Sequence, residues 1–145
     1  MDTKTLFDAP CPIARSLACV GDAWSMLILR DASAGLTRFD QFRKSLCIAP
    51  TILTRRLAVL TKEGLLEKQR YSERPPRDEY VLTDVGRDFL PVLVMLGAWG
   101  RKYRGKGRLT RLIDEVTGKE IQPVVVDVVS GKKLGTRPIR VIVPK

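Results

Sequence analysis

Residues 50–82 read PTILTRRLAVLTKEGLLEKQRYSERPPRDEYVL, and the fold turns on how that stretch divides. Pro50 suits the first position of a helix, where a missing N–H is no loss, and Gly64 suits the residue just past the last turn. Between them Leu53, Leu57 and Leu60 fall within about 60° of arc, one apolar stripe at 100° per residue. On the opposite side Thr51, Arg55, Ala58 and Lys62 gather within about 60° of one another by the same count. That outer strip carries small or hydrogen-bonding residues and two cations, with no carboxylate. A face that has only to be soluble more often mixes Glu with Lys.

The residues on either side complete a pattern. Thr37-Arg38-Phe39-Asp40 has the form of a capping box with Asp at its third position. The helix it would start carries Phe39, Phe42 and Leu46 at spacings of three and four. A tight turn, Cys47-Ile48-Ala49, then leads into Pro50. Short helix, tight turn and a helix with a bare basic face make a helix-turn-helix. After Gly64, two strand-like runs, Leu66–Tyr71 and Glu79–Leu82, flank Pro75 and Pro76. Prolines have no N–H and a fixed φ, so they belong in a stiff connecting loop and not in a paired sheet interior. The spacing therefore predicts an antiparallel hairpin directly behind the second helix, a winged helix. A loop fixed before binding loses less entropy on docking, and Arg74 and Arg77 can reach a phosphate or a minor groove. The competing reading is a rigid surface loop whose arginines pair with Glu73, Asp78 or Glu79.

Composition sets the limits. The chain has 145 residues and a net charge of +10, with no histidine and three cysteines. A chain of this length buries roughly 70% of its unfolded surface, enough for a core without metal or disulfide. The charge is clustered: residues 38–77 carry a net +6 and residues 104–145 another +6, while 1–37 and 78–103 are each −1. Clustered basic charge points to a polyanion partner. Lack of histidine removes Ser-His-Asp and Cys-His catalysis and His-ligated metal; Cys11, Cys19 and Cys47 form no C-x-x-C pair, and no Gly-rich phosphate loop occurs. The expectation is no enzyme, no cofactor and no metal. The longest apolar run, Phe89 to Ala98, contains Pro91 and Gly97 and is too short to span a bilayer. The N-terminus lacks a signal-peptide pattern, so the expected compartment is the cytoplasm.

Elsewhere, Pro12 opens a helix with Ile13, Leu17 and Val20 that ends at Gly21, and a second helix runs from Trp24 to about Ala32 before Gly35 breaks the chain. Thr83 should cap a helix reaching Trp99 and Tyr103, kinked or divided at Pro91. Its run from Phe89 to Leu96 is broader than one stripe and wants cover on more than one side, from a partner subunit or from within the monomer. Residues 104–145 repeat DEVTGKEI at Asp114 as DVVSGKKL at Asp127, an offset of 13. Each copy reads as strand, turn and returning strand, and Val124–Val129 and Ile139–Val143 are strand-prone. The expected architecture is mainly α with a small β-wing over residues 1–103, followed by a basic β-hairpin appendage over 104–145. The appendage's charge serves either DNA contact or solubility.

These residues resemble the HxlR-type winged-helix regulators, a MarR-related group. The similarity runs from Cys11 to about Trp99 and rests on Cys11-Pro12, Trp24, Leu53-Thr54-Arg56-Leu57, Pro75-Pro76-Arg77-Glu79-Tyr80 and Leu82-Thr83-Gly86. The resemblance implies a transcriptional regulator, a homodimer on a roughly palindromic operator in double-stranded DNA, joined through terminal helices. Leu90, Leu93, Val94, Leu96 and Trp99 are the interface candidates. Thr51, Thr54 and Arg55 are expected to read bases; Arg38, Arg43, Lys44, Lys62, Arg74 and Arg77 are expected to hold phosphates. In some members the N-terminal cysteine resembles a redox switch, here Cys11, with Cys47 of the other subunit as its candidate partner; the alternative is three reduced core thiols, and a small-molecule effector is a further candidate. One departure is Ala49, where the family usually has Ser: a missing hydroxyl cap costs about 1 kcal/mol. A winged helix serving as a protein or RNA interaction module is the other functional class, but it would not need a carboxylate-free outer strip.

Overall fold

The computed structural model describes residues 2–145. Among these residues seven helices and two strands follow in the order α1 (Thr3–Phe7), α2 (Pro12–Val20), α3 (Ala23–Ser33), α4 (Phe39–Leu46), α5 (Pro50–Lys62), β1 (Leu66–Glu73), β2 (Pro76–Leu82), α6 (Asp84–Arg87) and α7 (Leu90–Tyr103). The chain divides into two compact units, one ending at Leu90 and one running from Pro91 to Lys145. The first is a winged helix.

Its core is made by the residues that the periodicity singles out. Leu53, Leu57 and Leu60 of α5 and Phe42 of α4 are fully buried, together with Ile28 and Leu29 of α3. Burying a Leu or Phe side chain stabilises by about 1.5–3 kcal/mol, so the inner stripe is a main hold on α5. Gly35 and Gly64 adopt φ +101° and +81°, as their places at helix ends require. Cys47 closes α4 in the left-handed region at φ 49°, and it is the one non-glycine residue among those described to do so.

The capping of α4 differs from the expected box. Gln41, not Asp40, reaches back, and its Oε1 accepts from the N–H groups of Thr37 and Arg38 at 3.0 Å each. The Thr37 hydroxyl is drawn away by the wing, donating to Glu79 Oε2 at 2.9 Å, while Tyr80 N–H donates to the Thr37 carbonyl. A longer amide side chain and a tertiary acceptor displaced the local pattern. No side chain caps α5 at Ala49.

β1 and β2 pair antiparallel from Leu66↔Leu82 to Glu73↔Pro76. Pro76 stands at the first position of β2, where a missing donor is tolerated. Between Arg70 and Ser72 the register slips, leaving Tyr71 as the extra residue of a bulge. Thr83 then ties the hairpin back to α5: its hydroxyl donates to the Gly64 carbonyl and accepts from Gly86 N–H. Gly86 lies so close to the Leu65 carbonyl that a Cβ there would collide with it. Pro91 divides the expected helix, leaving α6 before it and α7 with Pro91 in its first turn.

In the second unit the two sequence repeats fold alike. Asp114 and Asp127 each accept from the N–H groups two and three residues on, and their carbonyls accept from Gly118 and Gly131. These glycines sit at φ +71° and +70°. Each turn carries one β-bridge, Ile113↔Glu120 and Val126↔Lys133. The turns are those of the expected hairpins, but among the described residues of 104–145 no strand extends beyond a single bridge. Among the described residues Val124–Val129 pairs through the single Val126↔Lys133 bridge, and Ile139–Val143 belongs to no ladder.

Candidate nucleic-acid interface

Helix α5 presents two faces of opposite character. Leu53, Leu57 and Leu60 are turned inward, while Thr51, Thr54, Arg55, Ala58 and Lys62 are all exposed. Arg55 and Arg56 separate cleanly. Arg56 is half-buried, and its guanidinium lies 3.5 Å from Asp22 Oδ2; Asp22 is itself held by Ser25, whose N–H and hydroxyl donate to it at 2.8 and 2.6 Å. Arg56 thus fixes α5 to the start of α3. Arg55 has no carboxylate within ion-pair distance among the described residues. The Thr54 hydroxyl donates to the Pro50 carbonyl at 2.8 Å, so outward it offers its methyl group and an acceptor oxygen.

The wing resolves which of its charges are committed. Asp78 is engaged by Arg70 at 3.3 Å and Lys68 at 3.7 Å, Glu73 by Arg70 at 3.7 Å, and Glu79 by the Thr37 hydroxyl. The carboxylates that could have neutralised Arg74 and Arg77 are therefore taken by other partners. Arg74 and Arg77 are exposed and unpaired among the described residues, as are Arg43 and Lys44 on α4. The surface-loop alternative, which needed those pairings, is not what the side chains do.

Arg38 was expected to be a free phosphate holder, and its setting is more specific. Its guanidinium lies 4.4 Å from the ring centre of Tyr71, the bulged residue of β1. A cation over an aromatic face keeps its charge while losing rotamer freedom. Arg38, Tyr71 and Arg77 line one hollow of about 570 Å³ between the start of α4 and the wing, with Gln41 and Asp78 also on its wall. Sequence reasoning missed Tyr71; a bulge leaves no clear mark in an alternation pattern.

The three cysteines are free. Cys11 and Cys47 are exposed, and Cys47 Sγ lies 3.8 Å from the Lys44 carbonyl. Cys19 is half-buried, 4.0 Å from Glu63 Oε2; burial, with the Glu63 charge adding to it, pushes its thiol pKa up. A raised pKa suppresses the thiolate of Cys19. Of the expected interface residues, Leu90, Leu96 and Trp99 are about half exposed, and Leu93 and Val94 are partly covered. Among the described residues no group of acidic, Cys or His side chains could hold a metal ion, and no single helix is long and apolar enough to cross a membrane.

Comparison with known proteins agrees with this geometry. The family model described as HxlR-like helix-turn-helix matches residues 19–108. The chain is 35% identical over 129 residues to Rv3095 of Mycobacterium tuberculosis, an uncharacterized HTH-type transcriptional regulator, covering 88% of this chain and 82% of that one. It is similar to the crystal structure of PA1607, a candidate transcription factor, with TM-score 0.87, 38% identity and coverage of 95% and 98% of the two chains. The reduced form of the redox regulator HypR matches with TM-score 0.61 and 29% identity, over 65% of this chain and 94% of that one. The PA1607 match thus extends past α7, whereas the HypR match covers about two thirds of the chain. With that fold, a solvent-facing basic helix and an uncommitted pair of wing arginines, the chain belongs to the HxlR-like helix-turn-helix family of transcriptional regulators.

Proposed function

We propose that the protein binds operator DNA in a sequence-specific way as a homodimer. Helix α5 enters the major groove, with Thr51, Thr54 and Arg55 facing base edges; an Arg bidentate to guanine is worth about 1–3 kcal/mol of discrimination. Arg43, Lys44 and Lys62 hold phosphates beside it. Arg74 and Arg77 on the wing and Arg38 over Tyr71 hold the backbone farther out. Residues 1–103 form this DNA-binding and dimerisation part, with Leu90, Leu93, Val94, Leu96 and Trp99 of α7 meeting their counterparts. Two such modules address half-sites about 34 Å apart, so the operator is close to palindromic. The observation that carries this reading is the exposed, carboxylate-free strip of α5 beside a wing whose acidic residues are already committed. Selection of bound fragments from the source genome tests it: a palindromic consensus is expected, and failure to retard any segment contradicts it.

A thiol input is favoured by the exposure of Cys11 and Cys47 and by the similarity to redox regulators. Peroxide would oxidise Cys11 of one subunit and Cys47 of the other to a disulfide, taking two electrons and leaving water. The bond would pull on the turn that sets α5. Non-reducing electrophoresis after mild peroxide should show a crosslinked dimer, abolished in Cys11→Ser; its absence removes the switch. Effectors other than oxidants then become the regulatory input.

A further inference from the structure

Between Pro91 and Lys145 no residue is buried in the single chain. Twenty large hydrophobic side chains in Leu90–Val143 are exposed, against six in the rest of the described chain. Val116 and Val129, at matching positions on the two turns, are 94% and 91% exposed, and Val141 is 82% exposed. Fixing each residue's backbone costs roughly 1–2 kcal/mol, which burial of apolar surface normally offsets. A segment that stays unfolded by composition is poor in β-branched residues; this one is rich in them, and its turns are hydrogen-bonded alike. The unit is built to be covered by something outside the chain.

We infer that the cover is a second copy of the same unit: residues 104–145 order as the dimer forms, and their strand-prone runs, Val124–Val129 and Ile139–Val143, pair across the two-fold axis. This rests on the homodimer reading and extends it from α7 to the C-terminal segment. The partner must offer apolar surface and strand-prone backbone to pair with, and an identical chain supplies both. Continuity points the same way, since the apolar side of α7 and the uncovered valines belong to one compact unit. DNA would satisfy the ten basic side chains of 104–145 but leave most of the valines and isoleucines wet. In a dimer the basic side chains form the rim, and their mutual repulsion is relieved by salt.

The full-length chain tests this by hydrogen exchange alongside sedimentation, without DNA, at about 0.1 M and about 1 M salt. Protection of amides in 108–143 should follow the dimer fraction on dilution and persist or increase at the higher salt. Val141→Asp, which would place a carboxylate in the seam, should raise the dimer dissociation constant at least about tenfold and strip protection from 108–143. Protection of α5 amides in the same sample reports that the winged helix is intact, and Val129→Asp gives a second reading at one turn. Protection that survives in the monomer, a dimer indifferent to both substitutions, or protection that appears only with duplex and fades with salt would each overturn the inference. A protected dimer that retards no DNA would instead contradict the operator reading and leave this one standing.

Discussion

Arg55 and Arg56 are adjacent in sequence and lie in different environments, one exposed and unpaired among the described residues, the other held against Asp22 at 3.5 Å. Arg56→Ala should therefore lower stability by ~0.2–1 kcal/mol, the range for a partly exposed ion pair, and leave base preference intact. A thermal melt beside a binding titration would show the split. Arg77→Ala acts through phosphate, so it should weaken specific and scrambled duplexes by the same factor and reduce the salt slope by about one. A change in the ratio between the two duplexes would mean that Arg77 reads sequence. Helical periodicity places Arg55 outward, but it could not supply Asp22 as the partner of Arg56, because that contact joins residues 34 positions apart.

At the scale of elements, α5 and the wing are held by few contacts of identifiable kind. Gly86 faces the Leu65 carbonyl with no room for a methyl group. Gly86→Ala should destabilise the winged helix by about 1–3 kcal/mol, the usual cost of overpacking, read as a lower melting temperature. Leu57→Ala, at a fully buried position, should cost about 2–5 kcal/mol. Both helices of the helix-turn-helix, the wing and the division at Pro91 were legible because proline, glycine and apolar spacing act locally. The cap of α4 was not. Thr37 is a good local cap, but Glu79, 42 residues on, competes for its hydroxyl. The Tyr71 bulge was equally hidden, since it depends on how β2 returns alongside β1.

For the whole molecule, two blocks of positive charge were visible at once, and their consequence is a steep response to ionic strength. Six to ten phosphate contacts should cost roughly 10³–10⁵ in affinity between 50 and 200 mM salt. A change of less than about tenfold over that range would mean that phosphates supply little of the binding. The C-terminal 42 residues are where sequence reasoning was least complete. The repeat at Asp114 and Asp127 identifies the turns correctly, yet each turn closes on a single bridge, and strand propensity alone does not extend it into a ladder.

If the outward face of α5 reads bases, Arg55→Ala is the substitution that exposes it. Wild type and variant are titrated onto a genome-selected duplex and a scrambled duplex of equal length and salt. The substitution should lower the preference for the selected duplex by ~1–3 kcal/mol, about 5- to 150-fold, with sedimentation unchanged from wild type. An unchanged preference, or none in the wild type, would contradict it.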